Sequence, residues 1–285
     1  MENIREIRRH IKSAVSTGQM VRAMKMVSVS KLRRTQRGLA GAKEYMQYCR
    51  QLLRDARCAA GNALPQLMCP NNSGSTCYVL ITGNRGLCGV YNQELLGFFH
   101  DRVAERGEDY TVIVCGKWGI ENISGTNIPL SLCFGALSDT PTHAQCAELT
   151  RQLVEGYKSG RFSSVALVYQ DFVNVLSQKP RVMEFLPAAA DSTGETAESD
   201  YIFEPAAASV MDLLMEKYLY ASMYAVILSA KIGEHSARMT AMSAASDNAD
   251  EMVSDLTRKL NRARQSAITT EMLELVGGIA DRKKD

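Results

Sequence analysis

The 285-residue chain can form two ordinary domains, or one compact domain with a long extended element, and its 46% hydrophobic and 22% charged residues exclude a disordered or collagen-like polymer. No apolar run reaches the roughly 18 residues of a membrane-spanning helix, so any link to a membrane is expected to go through partners. The formal net charge of +2 hides a strong division along the chain: +10 over residues 1–57, −7 over 58–205 and −1 over 206–285.

The opening stretch MENIREIRRH is charged from its second residue and lacks the apolar core of a secretory signal. The chain is therefore expected to stay where it is made, in a bacterial-type cytoplasm. All seven prolines fall between Pro65 and Pro205, which permits a long helix on either side of a compact middle, because proline breaks a helix interior. On the first helix an apolar stripe runs through Ile4, Ile7, Ile11, Ala14, Gly18, Val21 and Met24, then Val27 and Leu32. The same helix carries Arg5, Arg8, Arg9, Lys12, Arg22, Lys25, Lys31, Arg33, Arg34 and Arg37. Charge alone fits a solvated face best, ahead of a phosphate-binding face or a surface that meets acidic protein loops.

The middle alternates strand and helix signals. Cys77–Thr82 and Tyr110–Cys115 read as buried strands, Asn92–Arg106 and His143–Lys158 as helices, and Val165–Tyr169 and Val182–Leu186 as further strands. This order predicts a three-layer α/β domain with a partly parallel sheet. The small, polar run Ala188–Glu198 predicts a loop, and Pro205 stands where a helix would begin.

After the first strand, Gly83-Asn-Arg-Gly86-Leu-Cys-Gly89 invites a dinucleotide-binding reading. The spacing is GxxGxxG instead of GxGxxG, and Cys115-Gly116-Lys117, not an acidic residue, ends the second strand. A tight strand-to-helix turn that needs glycine is the simpler reading. The Gly-Lys pair is followed by Trp118, so there is no P-loop, and no cofactor is expected. His10, His100, His143 and His235 are far apart, and the eight cysteines form no CxxC pair, so neither a metal site nor a disulfide framework is expected. The cysteines read as small buried hydrophobes. With no GxSxG elbow or acylating SxxK pair at a suitable junction, no catalytic residue is assigned to this chain.

The C-terminal segment has the clearest period. His235, Met239, Met242, Ser246, Ala249, Val253, Leu256, Leu260, Ala263, Ala267 and Thr270 alternate by four and three, the seam of a coiled coil over about five heptads. Many of these residues are Ala, Ser or Thr, so a partner helix can approach closely while each turn buries less apolar surface. The N-terminal helix is the natural antiparallel partner. At about 1.5 Å per residue, a helix from Ala208 to Val276 would span on the order of 100 Å and is expected to project beyond a globular body.

At both ends, and in the central turn, the residues resemble one family, the gamma subunit of F-type ATP synthases. The resemblance lies in Thr17-Gly-Gln-Met-Val-Arg-Ala-Met-Lys-Met-Val27 with Ser30-Lys-Leu-Arg-Arg34, and in Glu234-His-Ser-Ala-Arg-Met-Thr-Ala-Met242 with Ser246-Asp-Asn-Ala249. It continues through Asn261-Arg-Ala-Arg-Gln-Ser-Ala-Ile-Thr269 and Glu274-Leu-Val-Gly-Gly278, and the central ITGNRGLCGVYN is also similar, with Gly83 and Asn84 where Ser and Asp are usual. Length resembles the bacterial form. Ala188–Tyr201 has none of the cysteines of the chloroplast form's regulatory segment, so thiol switching is not expected.

The resemblance implies an antiparallel coiled coil of N- and C-terminal helices (residues 1–60 and 206–280) around a central three-layer, Rossmann-like α/β domain (70–190). It implies a central-stalk rotor inside a hexamer of alpha and beta subunits, with its foot on the epsilon subunit and the c-ring. Such a chain would be a peripheral membrane protein on the cytoplasmic side of a bacterial plasma membrane. Positions implied to touch acidic loops of the beta subunits are Met24, Lys25, Arg238, Arg264, Gln265 and Thr269. Two other classes compete on residues alone. A basic coiled coil that binds nucleic acid would show steep salt dependence, and a nicotinamide-dependent enzyme would bind nucleotide as the isolated chain.

Overall fold

The computed structural model describes residues 4–60, 65–107, 109–124, 128–135, 137–188, 203–204 and 206–282. These fall into two compact units, one of Met1–Val27 with Met239–Asp285 and one of Ser28–Arg238. Two helices contribute to both: α1, Ile4–Ala60, and α5, Ala207–Arg282.

Within Ser28–Arg238 the chain runs β1 (Ser75–Ile81), α2 (Tyr91–Arg106), β2 (Tyr110–Cys115), α3 (Lys117–Ile123), β3 (Leu130–Phe134), α4 (His143–Lys158), β4 (Phe162–Asn174) and β5 (Ser177–Leu186). The strands form one sheet in the order β3-β2-β1-β4-β5. The first four are parallel and β5 closes an antiparallel hairpin with β4, so the sheet is partly parallel, as expected.

The three layers follow from the alternation of side chains across a strand. From β1, Cys77, Val79 and Ile81 enter a core with Leu149 and Leu153 of α4, Leu53 of α1, and Met215, Leu219 and Met223 of α5. Tyr78 and Leu80 enter the opposite core with Leu95 and Phe99 of α2 and Ile123 of α3. A strand covered on both faces must be apolar at consecutive positions, which is why CYVLI reads as an unbroken run.

The strand ends extend the sequence expectation. Val165–Tyr169 is the buried centre of the longer β4, and Val182–Leu186 is the second half of β5. α3 and β3 go beyond that expectation. The β3 residues Leu130, Ser131, Leu132 and Cys133 are all exposed, so this edge strand lacks the apolar alternation that reveals a half-buried one. The expected loop Ala188–Glu198 lies, apart from Ala188, outside the described residues, as does the expected helix start at Pro205.

In the other unit, residues of α1 and α5 pair antiparallel. A Cβ placed on Gly18 would lie 3.4 Å from the Ala249 Cβ, Arg22 meets Ser246 and Lys25 meets Ser243. The heptad seam of α5 is real over most of its length: Met242 and Ser246 are buried, Met239 is half-buried, and Ala249, Val253, Leu256, Leu260, Ala263 and Ala267 are half-buried between exposed neighbours. Thr270, the last expected seam residue, is exposed. On α1 the stripe holds from Ile4 to Val21 and again at the buried Leu32, and differs between them. Met24 and Val27 are 37% and 52% exposed, and the inward positions are Lys25 and Ser28. The three-and-four alternation passes through polar residues there, so apolarity alone misplaced it by one position.

Candidate functional site

Lys25 is the inward polar residue of the helix pair. Its Nζ donates to Ser243 Oγ at 2.9 Å, and one turn earlier Arg22 Nε donates to Ser246 Oγ at 3.2 Å while its Nη2 pairs with Asp250. These bonds fix the helix register by named donors and acceptors along a seam whose small side chains give little apolar burial. Met24 lies beside them and faces outward. Further along α5, Arg264, Gln265 and Thr269 are all exposed. Thr269 Oγ1 donates to the Gln265 carbonyl at 2.9 Å, which ties its hydroxyl to its own helix.

The sixth expected contact residue, Arg238, belongs to a different setting. In the Ser28–Arg238 unit it completes a buried ionic cluster on one face of α5. Lys231 Nζ lies 2.8 Å from Glu234 Oε2 and Arg238 Nη2 lies 2.7 Å from Glu234 Oε1. The side chains of Lys231 and Glu234 are 1% exposed and that of Arg238 is 12% exposed. Burial alone would push the Glu234 carboxyl up; the charges of Lys231 and Arg238, with their hydrogen bonds, outweigh it and hold the group below the ordinary carboxylate range.

Arg238 then reaches the glycine turn after β1, donating through Nη2 to the Arg85 carbonyl at 3.1 Å and through Nε to the Gly86 carbonyl at 3.3 Å. The turn thus offers carbonyl oxygens to a cation, the reverse of an amide cradle for phosphate. A Cβ on Gly83 would stand 3.0 Å from Glu234 Cδ, so a side chain there would press on the carboxylate and make it give by a few tenths of an ångström. Gly83 N donates to Asn92 Oδ1 at 2.9 Å, and Trp118 N donates to the Gly83 carbonyl at 3.1 Å. Asn84 donates to the Leu137 carbonyl and accepts from Lys117 N, a double role that an aspartate, which only accepts, could not fill. Of the turn's residues, Leu87 and Gly89 adopt positive φ, 61° and 60°.

His235, placed on the seam by its period, is 1% exposed in the same unit. Its Nε2 lies 3.2 Å from the Asp139 carbonyl, its Nδ1 is buried without a hydrogen-bond partner, and the Asp139 carboxylate pairs with Lys31. Burial lowers the imidazole pKa, so the neutral ring is favoured. Sequence reasoning missed Lys231 and Glu234. The available signal was Lys-x-x-Glu-x-x-x-Arg, one charged face that begins at the end of the largely apolar stretch from Met223 to Ile232.

Burial raises the thiols of Cys77 and Cys146 to about 12 and that of Cys115 further, which keeps them protonated. Among the described residues no group of three or more His, Cys, Asp or Glu could hold a metal ion, and no helix is long and apolar enough to cross a membrane.

The family described as ATP synthase matches residues 3–280. The chain is 36% identical over 281 residues to an ATP synthase gamma chain of Pelotomaculum thermopropionicum, covering 98% of this chain and 99% of the relative. It is 34% identical over 283 residues to the ATP synthase gamma chain of Staphylococcus carnosus, with 98% of each covered. Among solved structures, a chain of the Euglena gracilis mitochondrial ATP synthase OSCP/F1/c-ring assembly matches with a TM-score of 0.66 at 20% identity, covering 97% of this chain and 93% of that one. A chain of the Tetrahymena thermophila mitochondrial ATP synthase central stalk and c-ring matches with a TM-score of 0.62 at 22% identity, covering 80% and 99%. At these identities the structural likeness speaks for the fold.

Proposed function

The chain belongs to the ATP synthase gamma chain family, and from that premise we propose that it is the rotor shaft of an F-type ATP synthase. It couples ion-driven rotation to ATP synthesis and hydrolysis at sites on an alternating hexamer of alpha and beta subunits. The observation that carries this reading is the antiparallel helix pair with a seam of small residues, narrow and stitched by Arg22 and Lys25, whose other faces are exposed. The chain itself supplies no catalytic group; chemistry belongs to the hexamer. The α/β domain forms the foot, against the epsilon subunit and the c-ring, and holds the chain at the cytoplasmic face of a bacterial plasma membrane as a peripheral protein.

One asymmetric shaft inside three equivalent sites presents a different face to each and biases each toward a different conformation through differential contact energy. Moving a site from mostly open to mostly closed takes about 5.5 kcal/mol of bias, whereas one exposed ion pair supplies about 1 kcal/mol or less. The work is therefore shared. Met24, Arg264, Gln265 and Thr269 reach the acidic beta loops from exposed positions, while Lys25 and Arg238 act through the atoms left after their internal bonds. For Arg238 that atom is Nη1.

Co-purification tests this function. The chain should assemble with alpha and beta subunits into a complex whose ATPase activity depends on it, and an isolated soluble homodimer would contradict the reading. Arg264→Ala alone should lower coupled turnover by no more than about tenfold, because the remaining contacts carry most of the bias; complete loss would mean that torque is concentrated at one residue.

A further inference from the structure

Between β3 and α4 a short irregular segment is fixed in the interior at both ends. Leu137 has no exposed surface and gives its carbonyl to Asn84, and Pro141 is buried. The residues between them, Ser138–Thr140, are half-buried and tie three helices of the Ser28–Arg238 unit. The Asp139 carboxylate pairs with Lys31 of α1, and the Asp139 carbonyl lies 3.2 Å from His235 Nε2 of α5. Ser138 Oγ donates to Gln145 Oε1 of α4 at 3.1 Å.

The tie to α5 admits one protonation state. A carbonyl only accepts, so Nε2 carries the ring hydrogen and Nδ1 is left as a lone pair. Nδ1 is buried and has no hydrogen-bond partner. A second proton, placed there, would create a donor without an acceptor in a residue that is 1% exposed, which is costly. The surrounding charges oppose it as well. Lys231 and Arg238 share the single carboxylate of Glu234, and the Asp139 carboxylate is already matched by Lys31. Burial, helped by the Arg238 and Lys231 charges, outweighs the Asp139 bond and the Glu234 charge and favours the neutral ring.

We propose that Ser138–Thr140 is a proton-released strap: while His235 is neutral it holds α1 against α5 through Asp139, and a second proton on the ring opens it. Opening is local, because Leu137 and Pro141 keep the ends of the segment in place. The strap belongs to the chain alone and does not rest on the rotor reading.

NMR of the full-length chain, titrated from about pH 8 to about pH 5 across the ordinary imidazole range, tests it through the His235 ring and the Thr140 methyl. His235 should show the Nε2–H tautomer at the upper end and should take its second proton only below the ordinary 6.5. The Thr140 methyl should shift along the same curve, while Leu80 and Leu153, one from each core, stay still. Ser138→Ala cuts a neutral tie that does not touch the ring. Because opening and proton uptake are linked, His235 should then gain proton affinity by about 2–10-fold, toward its ordinary value. His235→Gln keeps an amide donor for the Asp139 carbonyl but cannot titrate, so Thr140 should stop responding to pH. A ring that titrates at 6.5, an affinity unchanged in Ser138→Ala, or a Thr140 response that survives His235→Gln would each overturn the proposal. So would Leu80 and Leu153 shifting together with Thr140, because the transition would then be global.

Discussion

Val79, Leu80, Ile81 and Val114 of the sheet have no exposed surface, and Lys231 and Glu234 are buried in the same unit. In the helix pair of the other unit, by contrast, Val253, Leu256 and Leu260 are only half-buried, and the Arg22–Asp250 pair is 49% and 60% exposed. Both regions combine apolar contact with ion pairs, but the medium differs. Out of water, a charge is tolerable only while its partner is present, and each lost methylene leaves a void. In water, the solvent replaces what a substitution removes. The Ser28–Arg238 unit is therefore intolerant of change, and the helix pair can be rewritten at most outward positions.

The largest test of this contrast is Glu234→Ala. It strands the Lys231 ammonium in the interior and should cost about 3–5 kcal/mol in urea denaturation. A loss below about 1 kcal/mol would mean that water reaches the cluster and the contrast fails. Replacing Lys231 and Glu234 together by Met and Leu should recover much of the loss.

Next in size is a matched pair of truncations. Leu80→Ala should cost about 2–5 kcal/mol, and Leu256→Ala, where solvent already covers part of the side chain, about half of that or less. Equal losses would show that the helix seam is packed as tightly as the sheet.

A smaller effect comes from pH. His235 faces Asp139, Lys231, Glu234 and Arg238, and burial holds its pKa below the ordinary 6.5. The unfolded chain takes up this proton first as the pH falls, so the folded state binds fewer protons there and loses stability. The contribution is whole above 6.5 and is lost as the pH falls from there toward the folded pKa. Glu234, held below 4.5, adds a separate loss at lower pH. His235→Gln should flatten the first window and leave the second; a curve unchanged between pH 5 and 6.5 would show that the ring is not kept neutral.

The smallest expected effect is at Asp250. Asp250→Asn breaks an exposed pair with Arg22 and should change stability by less than about 1 kcal/mol. Salt should erase that difference, because water and ions screen the pair directly. A larger change that persists in salt would mean that the helix pair depends on this stitch more than its exposure implies.

Periodicity is a local property, and the sequence revealed what local pattern can carry. The four-and-three spacing from Met239 to Ala267 announced the helix seam, and consecutive apolar residues in CYVLI and YTVIVC announced strands covered on both faces. The absence of proline on either side of the middle announced two long helices. Residues that break their local pattern for the sake of a distant partner were not legible. Lys25 and Ser28 occupy seam positions that apolarity assigned to Met24 and Val27, and Lys25 does so because Ser243, more than two hundred positions away, accepts its proton. Arg238 reads as an outward helix residue until the carbonyls of Arg85 and Gly86 come within its reach, and Gly83 reads as a turn former until Glu234 lies against it. β3 has no exposed-to-buried alternation to announce it and exists because β2 offers it a ladder. The sequence by itself thus determined the two long helices, the buried strands and the apolar seam of α5, since those follow from the spacing of neighbours along the chain. Only the tertiary structure decided which charges are buried together, which imidazole nitrogen lacks a partner and which glycine makes room for a carboxylate, because those depend on distances between residues that the chain order keeps apart.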